Sequence, residues 1–250
     1  MSKPVMINNK KLVTYGMAVL LFLSMLIVAR EAARLVTSKK IEGVLKNRTV
    51  VIDAGHGADD SGKVGINGAL EKDINLAIAK RTKALLEMQD IKVIMTREDD
   101  EGDYPKTGSN RKMRDMKKRV EMINGKMPAL VVSIHQNSFP DERISGAQTF
   151  YYRGSEEGER AAKLLQKQLI ETLQPEKERV AKEDTGYYLL KNTHFPIVIV
   201  ECGFLSNQRE AELLCEEEYQ EKAAWAIHLG IIQYLKTGGT KSDEMDENPY

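Results

Sequence analysis

The sequence predicts an α/β fold, with a single domain built on a largely parallel, twisted sheet of about six strands. Short runs of apolar and β-branched residues alternate with helical periodicities between residues 48 and 236, a pattern typical of a sheet flanked by helices on both faces. A separate apolar run near the start predicts a preceding N-terminal membrane segment. The formal net charge is zero, which argues against nucleic-acid binding.

The apolar run covers residues 12–29 and is interrupted only by Thr14, Gly16 and Ser24. A helix of this length spans about 27 Å, slightly less than a hydrocarbon core of ~30 Å. The run therefore fits a membrane anchor or a signal segment. We expect an uncleaved anchor because the residues around Ala29 offer no clean pair of small residues for cleavage.

The remaining boundaries follow from composition. Residues 1–11 form a basic N-terminus, residues 30–47 a charged tether, and residues 48–236 the folded domain. Residues 237–250 contain glycines and then acidic residues, with too little apolar content to order themselves, and predict a disordered acidic tail. Cys202 and Cys215 match no metal motif, and two buried free thiols are favoured over a single disulfide.

The first strand begins at Thr49 and ends at His56, which stands between Gly55 and Gly57. These glycines allow positive φ angles and a close approach of the backbone to other groups. The basic residues from Arg111 to Arg119 predict a solvated helix face rather than a polyanion site. The other predicted elements are helices at 70–88, 110–124, 155–173, 208–215 and 218–235, and strands at 91–96, 129–134, 146–152, 186–190 and 197–200.

Polar groups follow three of the buried strands. These strands are predicted to end in His56, His135 and Glu201, and Glu71 lies in the first turn of the first helix. Two imidazoles and a carboxylate suit catalytic zinc, and a further carboxylate suits a general base. Each residue also has a structural interpretation: the histidines as packed strand-end residues, and Glu71 as an acid favoured by the helix dipole.

Two other histidines match no metal-ligand pattern. His194 precedes a strand in a loop and is a weak candidate for substrate contact. His228 lies on an apolar helix face and is expected in the core.

Five segments occur in an order typical of one enzyme family. They are Asp53-Ala-Gly-His-Gly57, Leu70-Glu-Lys-Asp73, Met95-Thr-Arg97, Ser133-Ile-His-Gln-Asn137 and Glu201-Cys-Gly-Phe-Leu-Ser-Asn207. On these segments, residues 49–234 resemble the zinc-dependent N-acetylmuramoyl-L-alanine amidases of bacterial cell walls, of the family-3 type. The insert after Arg97 and residues 146–152 look like the sporulation- and germination-specific branch that acts on spore cortex.

The resemblance implies that His56, Glu71 and His135 bind Zn²⁺ and that Glu201 is the catalytic carboxylate. It implies cleavage of the amide between the lactyl group of N-acetylmuramic acid and L-alanine in peptidoglycan. In cortex, this reaction would lead to muramic lactam and support germination. The catalytic domain would be extracytoplasmic, either anchored or secreted, with residues 1–11 cytoplasmic and an accessory activating protein as a further partner.

Two alternatives remain open at this point. A zinc peptidase of similar architecture would cut a peptide bond instead of the sugar-peptide amide. A binding or regulatory module would recognise wall glycan or a partner protein without catalysis, but such a module is expected to lack one of the four groups.

Overall fold

The computed structural model describes residues 17, 19–20, 22–30, 45, 48–100 and 111–243. The chain divides into two units, residues 1–44 and residues 45–250. In the first unit, residues 22–30 are helical and their large apolar side chains are exposed. Within the described ranges, no helix has both the length and the apolar character needed to cross a membrane. Residues 1–11, most of the tether and part of the 12–29 segment lie outside the described residues, so the anchor stays a prediction.

The second unit alternates strands and helices as predicted. Its elements are β1 (Thr49–Ala54), α1 (Glu71–Glu87), β2 (Lys92–Met95), α2 (Arg111–Lys126), β3 (Leu130–Asn137), β4 (Gln148–Tyr152), α3 (Glu156–Leu173), β5 (Lys182–Asp184), α4 (Tyr188–Asn192), β6 (Ile197–Phe204), α5 (Gln208–Cys215) and α6 (Glu217–Asp243).

The six strands form one mixed sheet in the order β2-β1-β3-β6-β4-β5. Strands β2, β1, β3 and β6 are parallel, whereas β4 pairs antiparallel with β6 and parallel with β5. The prediction of a largely parallel sheet is therefore corrected. The reversal follows from residues 138–147, which join β3 to β4 without a helix. A connection of this length is too short for the crossover that a parallel return requires.

The strand predicted at residues 186–190 is wrong. A short strand, β5, comes earlier, and helix α4 occupies most of the predicted range. The cause is a turn in which the backbone N–H groups of Gly186 and Tyr187 both donate to Oδ1 of Asp184. An aspartate that binds the backbone two residues ahead ends an extended segment.

The last helix, α6, ends at Asp243, beyond the predicted boundary at Lys236. The Thr237 hydroxyl donates to the carbonyl of Gln233 at 3.0 Å, which is a contact of continuing helix. Residues 237–243 of the predicted tail therefore belong to α6, and residues 244–250 lie outside the described residues.

Helices cover the sheet on both faces. One face packs Val51 and Val131 against Ile123 of α2 and Leu189 of α4. Helices α1 and α3 each pack on α6, and both also contact strands of the sheet. Because β1, β3 and β6 are central and buried, their carboxyl ends are held rigidly at one edge, and this edge carries the candidate site.

Candidate metal centre

The three predicted strand-end groups meet at the carboxyl edge of β1, β3 and β6. Ala54 pairs with Ile134, and His135 pairs with Glu201, so the parallel register brings these strands to a common edge. His56 follows β1 in the chain. His135 and Glu201 lie inside their strands rather than after them, because β3 and β6 continue to Asn137 and Phe204.

His56, Glu71 and His135 form a compact donor group. Nε2 of His56 lies 3.2 Å from Oε2 of Glu71, and Nδ1 of His135 lies 2.9 Å from Oε1 of the same carboxylate. The three potential ligand atoms lie within 4.8 Å of one another, and among the described residues this is the one such group. Two imidazoles converging on a buried carboxylate are the donor set that zinc prefers. The residues present therefore fit the metal that the resemblance implies.

Two glycines make room for this group. A Cβ atom on Gly55 would overlap the His135 imidazole. A Cβ atom on Gly62 would lie 2.5 Å from Oε2 of Glu71, and Gly62 also has a φ of +68°. Positive φ angles occur at Gly57 and at His56 itself, whose φ is 62°. Gly55 therefore serves close approach, Gly57 has the positive φ that was expected, and His56 itself takes the left-handed conformation.

Glu71 is only 2% exposed and is held as a carboxylate. Burial raises its pKa, but hydrogen bonds from His135 and His56 lower it more, and the net shift is well below the usual range. The backbone N–H groups of Lys63 and Gln136 donate to its two oxygens at 2.8 and 3.1 Å. Both oxygens are thus fixed in orientation by donors besides the imidazoles.

The imidazole of His56 is oriented by Asp60. Nδ1 of His56 donates to Oδ2 of Asp60 at 3.0 Å, which leaves Nε2 directed at Glu71. Burial lowers the pKa of His56, but the hydrogen bonds to Asp60 and Glu71 outweigh it and raise the pKa to about 9. A carboxylate on the second ring nitrogen is the usual way in which proteins fix a metal-binding histidine.

Two arginines hold the turn that carries His56. Arg119 donates to the carbonyls of Ala54 and His56 at 2.8 and 2.7 Å, and Arg97 donates to those of Ala54 and Gly55 at 3.0 and 3.1 Å. Arg119 is 5% exposed, which corrects its prediction as part of a solvated face. The other basic residues from Arg111 to Lys118 are exposed as expected.

Arg119 is buried because Asp53 is buried beneath it. Its Nη1 donates to Oδ1 of Asp53 at 2.6 Å, and Thr96 and Ser133 donate to the same carboxylate, each at 2.6 Å. Burial raises the pKa of Asp53, but Arg119 and the two hydroxyls lower it more, to about 2. The first motif of the sequence thus supplies a structural carboxylate at Asp53 and a candidate ligand at His56.

Glu201 shares a cavity of about 280 Å³ with the three candidate ligands. The Tyr187 hydroxyl donates to its Oε1 at 3.1 Å. Within the part of the chain that the structure describes, its Oε2 is buried and accepts no hydrogen bond. Burial raises the pKa of Glu201 to about 7, with the negative charge of Glu71 adding to the effect. A carboxyl group of this kind can both accept and release a proton near neutral pH.

The two remaining histidines lie outside this cavity. His194 is exposed in the loop before β6, and its backbone N–H donates to Asn124. His228 is buried and bonded to Gln89, as expected of a core residue. Cys202 is buried and Cys215 is exposed; both are free thiols, although only Cys202 has the burial expected of both.

The sequence did not predict three residues that contact the candidate site, namely Asp60, Arg119 and Tyr187. Asp60 had the clearest signal, an acid four residues after His56 in the same loop. Arg119 could not be told apart from the exposed basic residues beside it on α2. Tyr187 lay in a segment predicted as a strand and carried no signal of its own.

Comparison with known proteins identifies the family of this chain. The germination-specific N-acetylmuramoyl-L-alanine amidase of Bacillus subtilis strain 168 is 41% identical over 198 residues, which cover 78% of this chain and 83% of that protein. The CwlD amidase of Clostridioides difficile, solved in complex with the GerS lipoprotein, has a TM-score of 0.74 and 40% identity, covering 76% of this chain and 100% of that chain.

The catalytic domain of CwlV, an N-acetylmuramoyl-L-alanine amidase from Bacillus (Paenibacillus) polymyxa var. colistinus, has a TM-score of 0.65 and 33% identity, with coverages of 75% and 98%. The family described as N-acetylmuramoyl-L-alanine amidase matches residues 50–233. This chain therefore belongs to the N-acetylmuramoyl-L-alanine amidase family.

Proposed function

We propose that this chain is a zinc amidase that cleaves the bond between the lactyl group of N-acetylmuramic acid and L-alanine of the stem peptide. His56, Glu71 and His135 would hold the metal, and Glu201 would be the general base. The observation that carries the proposal is the convergence of both imidazoles on the buried Glu71 carboxylate, with Glu201 in the same cavity.

When bound, zinc supplies a Lewis acid that polarises the amide carbonyl and activates a water at neutral pH. Glu201 would take a proton from the attacking water as the water oxygen bonds to the carbonyl carbon. The same carboxyl group then returns the proton to the amine nitrogen as the carbon–nitrogen bond breaks. The products are the lactyl carboxylate of the glycan and a stem peptide with a free amino terminus.

The substrate class follows from the relatives. The 41% identical protein of Bacillus subtilis is germination-specific by name, which supports cortex peptidoglycan as the substrate and muramic lactam as the later product. A cell-wall substrate requires the catalytic domain to be extracytoplasmic. Residues 12–29 would provide a membrane anchor for it, with residues 1–11 on the cytoplasmic side.

An accessory protein forms part of this proposal. The CwlD amidase of Clostridioides difficile was solved with the GerS lipoprotein, which supports a comparable activating partner for this chain. Activity measured with and without a candidate lipoprotein would test this step separately from the chemistry.

The reaction is tested by digestion of defined muropeptides and mass spectrometry of the products. Free stem peptide together with intact glycan is expected; cleavage inside the peptide would instead identify a zinc peptidase. The Glu201→Gln variant should retain zinc and lose activity by about 10²-fold or more, the usual contribution of a general base. Turnover near the wild-type rate would exclude Glu201 as the base.

The ligand assignment is tested by zinc titration of metal-free protein against a chromophoric chelator. His135→Ala should abolish tight binding, because it removes one of three protein ligands. His194→Ala is the matched control, since His194 is an exposed histidine outside the cavity. Equal zinc affinity in the two variants would contradict the assignment.

A further inference from the structure

We propose that Tyr187 is a positioning residue for Glu201: its hydroxyl holds Oε1 of that carboxyl group and so reserves Oε2 for proton transfer. This inference rests on the proposed function and adds to it a residue outside the five motifs of the sequence. The two oxygens of a carboxylate are chemically equivalent until their surroundings distinguish them. In this cavity, Tyr187 makes that distinction.

Tyr187 is held at both its backbone and its ring. Its backbone N–H donates to Oδ1 of Asp184 at 3.1 Å, and its carbonyl accepts from the N–H of Lys191 at 3.2 Å as helix α4 begins. Its ring lies 5.5 Å from the ring of Phe150, centroid to centroid. The hydroxyl therefore reaches the cavity from a fixed point, independently of any substrate.

Towards the ionised Glu201 carboxylate, the hydroxyl acts as a donor. Burial raises the pKa of Tyr187, and the nearby charge of Glu201 raises it further, so the phenol stays protonated wherever the enzyme works. The bond to Oε1 is 3.1 Å long. Oε2 is buried without a hydrogen-bond partner among the described residues, so the protein does not engage its lone pairs.

The two oxygens of the Glu201 carboxyl group therefore have different roles: Oε1 is held by Tyr187, and Oε2 transfers the proton. Rotation of an unheld carboxylate would present either oxygen, or neither, to the water that must be deprotonated. A general base works only when it lies within hydrogen-bond reach of that proton. Tyr187 limits the rotation, so its loss should slow the chemical step and leave substrate binding unchanged.

The test is the Tyr187→Phe variant in the full-length protein, assayed with zinc on a soluble defined muropeptide. Phenylalanine retains the ring that packs on Phe150, so the variant should stay folded, with the unfolding midpoint lowered by only a few degrees for the loss of one hydrogen bond. We expect kcat to fall roughly 10- to 100-fold, which corresponds to the loss of a hydrogen bond to a charged group. KM should stay within about twofold, because the lost interaction is not made with the substrate.

Tyr234→Phe is the matched control. Its hydroxyl also donates to a glutamate, Oε2 of Glu157, at 3.0 Å, but neither residue lines the cavity. This variant loses the same type of bond and should retain wild-type kcat. A similar fall in both variants would show a general structural effect and would overturn the proposal.

A second readout does not depend on turnover. The infrared difference spectrum between wild type and Glu201→Gln isolates the carboxylate bands of Glu201 in metal-free protein. Tyr187→Phe should shift these bands, because a hydrogen bond to one oxygen is removed, whereas Tyr234→Phe should leave them in place. Unshifted bands in Tyr187→Phe would overturn the proposal.

The outcomes separate this inference from the proposed function. If Glu201→Gln is inactive and Tyr187→Phe has wild-type kcat, the function stands and the role of Tyr187 is refuted. A raised KM with unchanged kcat in Tyr187→Phe would make it a substrate contact and would also refute the inference. An active Glu201→Gln variant would overturn the proposed base and, with it, the role of Tyr187.

Discussion

Replacing Arg119 with methionine should lower both the stability of the fold and the affinity for zinc, because Arg119 contacts both the buried core and the turn that carries His56. Its guanidinium contacts the buried Asp53 carboxylate and the carbonyls of Ala54 and His56. Methionine preserves much of the volume but removes the charge and all the donors. Among the described residues, the Asp53 carboxylate, which has no exposed surface, would then accept hydrogen bonds only from the hydroxyls of Thr96 and Ser133.

The stability cost can be estimated in two ways. The shift in the pKa of Asp53 from 3.8 to about 2 corresponds to about 2.5 kcal/mol of folding free energy. Because the folded pKa is depressed, this contribution is present above pH 3.8 and is lost as the pH falls through about 2. Removing one partner of a buried ion pair costs about 3–5 kcal/mol in other proteins. We expect a loss of about 3 kcal/mol, or a fall in Tm of roughly 10 °C.

The zinc effect follows from the bond to the His56 carbonyl. His56 has a φ of 62°, and a residue in this region needs support from its surroundings. Arg119→Met removes part of that support, so zinc affinity should fall about 10- to 100-fold, as for other losses around metal ligands. Urea unfolding of metal-free protein and chelator competition at a temperature where the variant is folded would measure the two effects separately.

The control is Arg153→Met. Arg153 pairs with Glu183 at 3.1 Å on the surface, where the two side chains are 66% and 49% exposed. An exposed pair of this kind contributes about 0–1 kcal/mol, so the variant should resemble wild type in both assays. Wild-type zinc affinity in folded Arg119→Met would refute the inference that this arginine supports the ligand turn.

Three further predictions concern the same site. Zinc affinity should rise about tenfold per pH unit up to about pH 9, because zinc needs a neutral imidazole and the pKa of His56 is raised to about 9. The protonated imidazole of His56 stabilises the metal-free fold fully below pH 6.5, and this contribution is lost as the pH rises through about 9. A zinc affinity that does not change with pH would contradict the raised pKa of His56, on which both expectations depend. Asp60→Asn should lower zinc affinity about 10- to 100-fold without unfolding the domain, measured by the same titration, since Asp60 orients His56. Gly62→Ala should lower zinc affinity, because the added carbon would displace Glu71. Gly68→Ala is the control: Gly68 has a similar positive φ but no atom within 4 Å of the added carbon, so this variant should cost only about 1 kcal/mol of stability. Equal zinc affinities in the two variants would show that Gly62 is needed only for its backbone conformation.

The position of the site at one edge of the sheet was predictable because the carboxyl ends of neighbouring parallel strands lie at the same edge. Apolar runs ending at His56, His135 and Glu201 needed only to be neighbours for their polar groups to meet, and β1, β3 and β6 are neighbours. The reversal of β4 was not predictable in this way. It depends on the helix-free connection after β3, and apolar periodicity reports burial without reporting strand direction.

Residues that support the site from a distance were also beyond sequence reasoning. Arg119 acts through tertiary contacts with Asp53 and with the carbonyls of Ala54 and His56. Tyr187 acts through one hydrogen bond to Glu201, 14 residues further along the chain. Their own neighbours in the sequence look like an exposed basic helix and a short strand. The type of side chain at a strand end predicts its chemistry, but a tertiary hydrogen bond produces no periodic pattern in the sequence.

The roles of the two buried glutamates show how environment separates residues that sequence treats alike. Glu71 accepts from two imidazoles and from backbone N–H groups, and its pKa is driven far down, which suits a permanent anionic ligand. In the described part of the chain, Glu201 accepts one hydrogen bond, from Tyr187, and burial raises its pKa to about 7, which suits a group that takes and returns a proton. Carboxyl groups whose surroundings shift their pKa values in opposite directions commonly divide such roles. The number of donors around each carboxylate therefore supports Glu71 as the ligand and Glu201 as the base, on grounds independent of family resemblance.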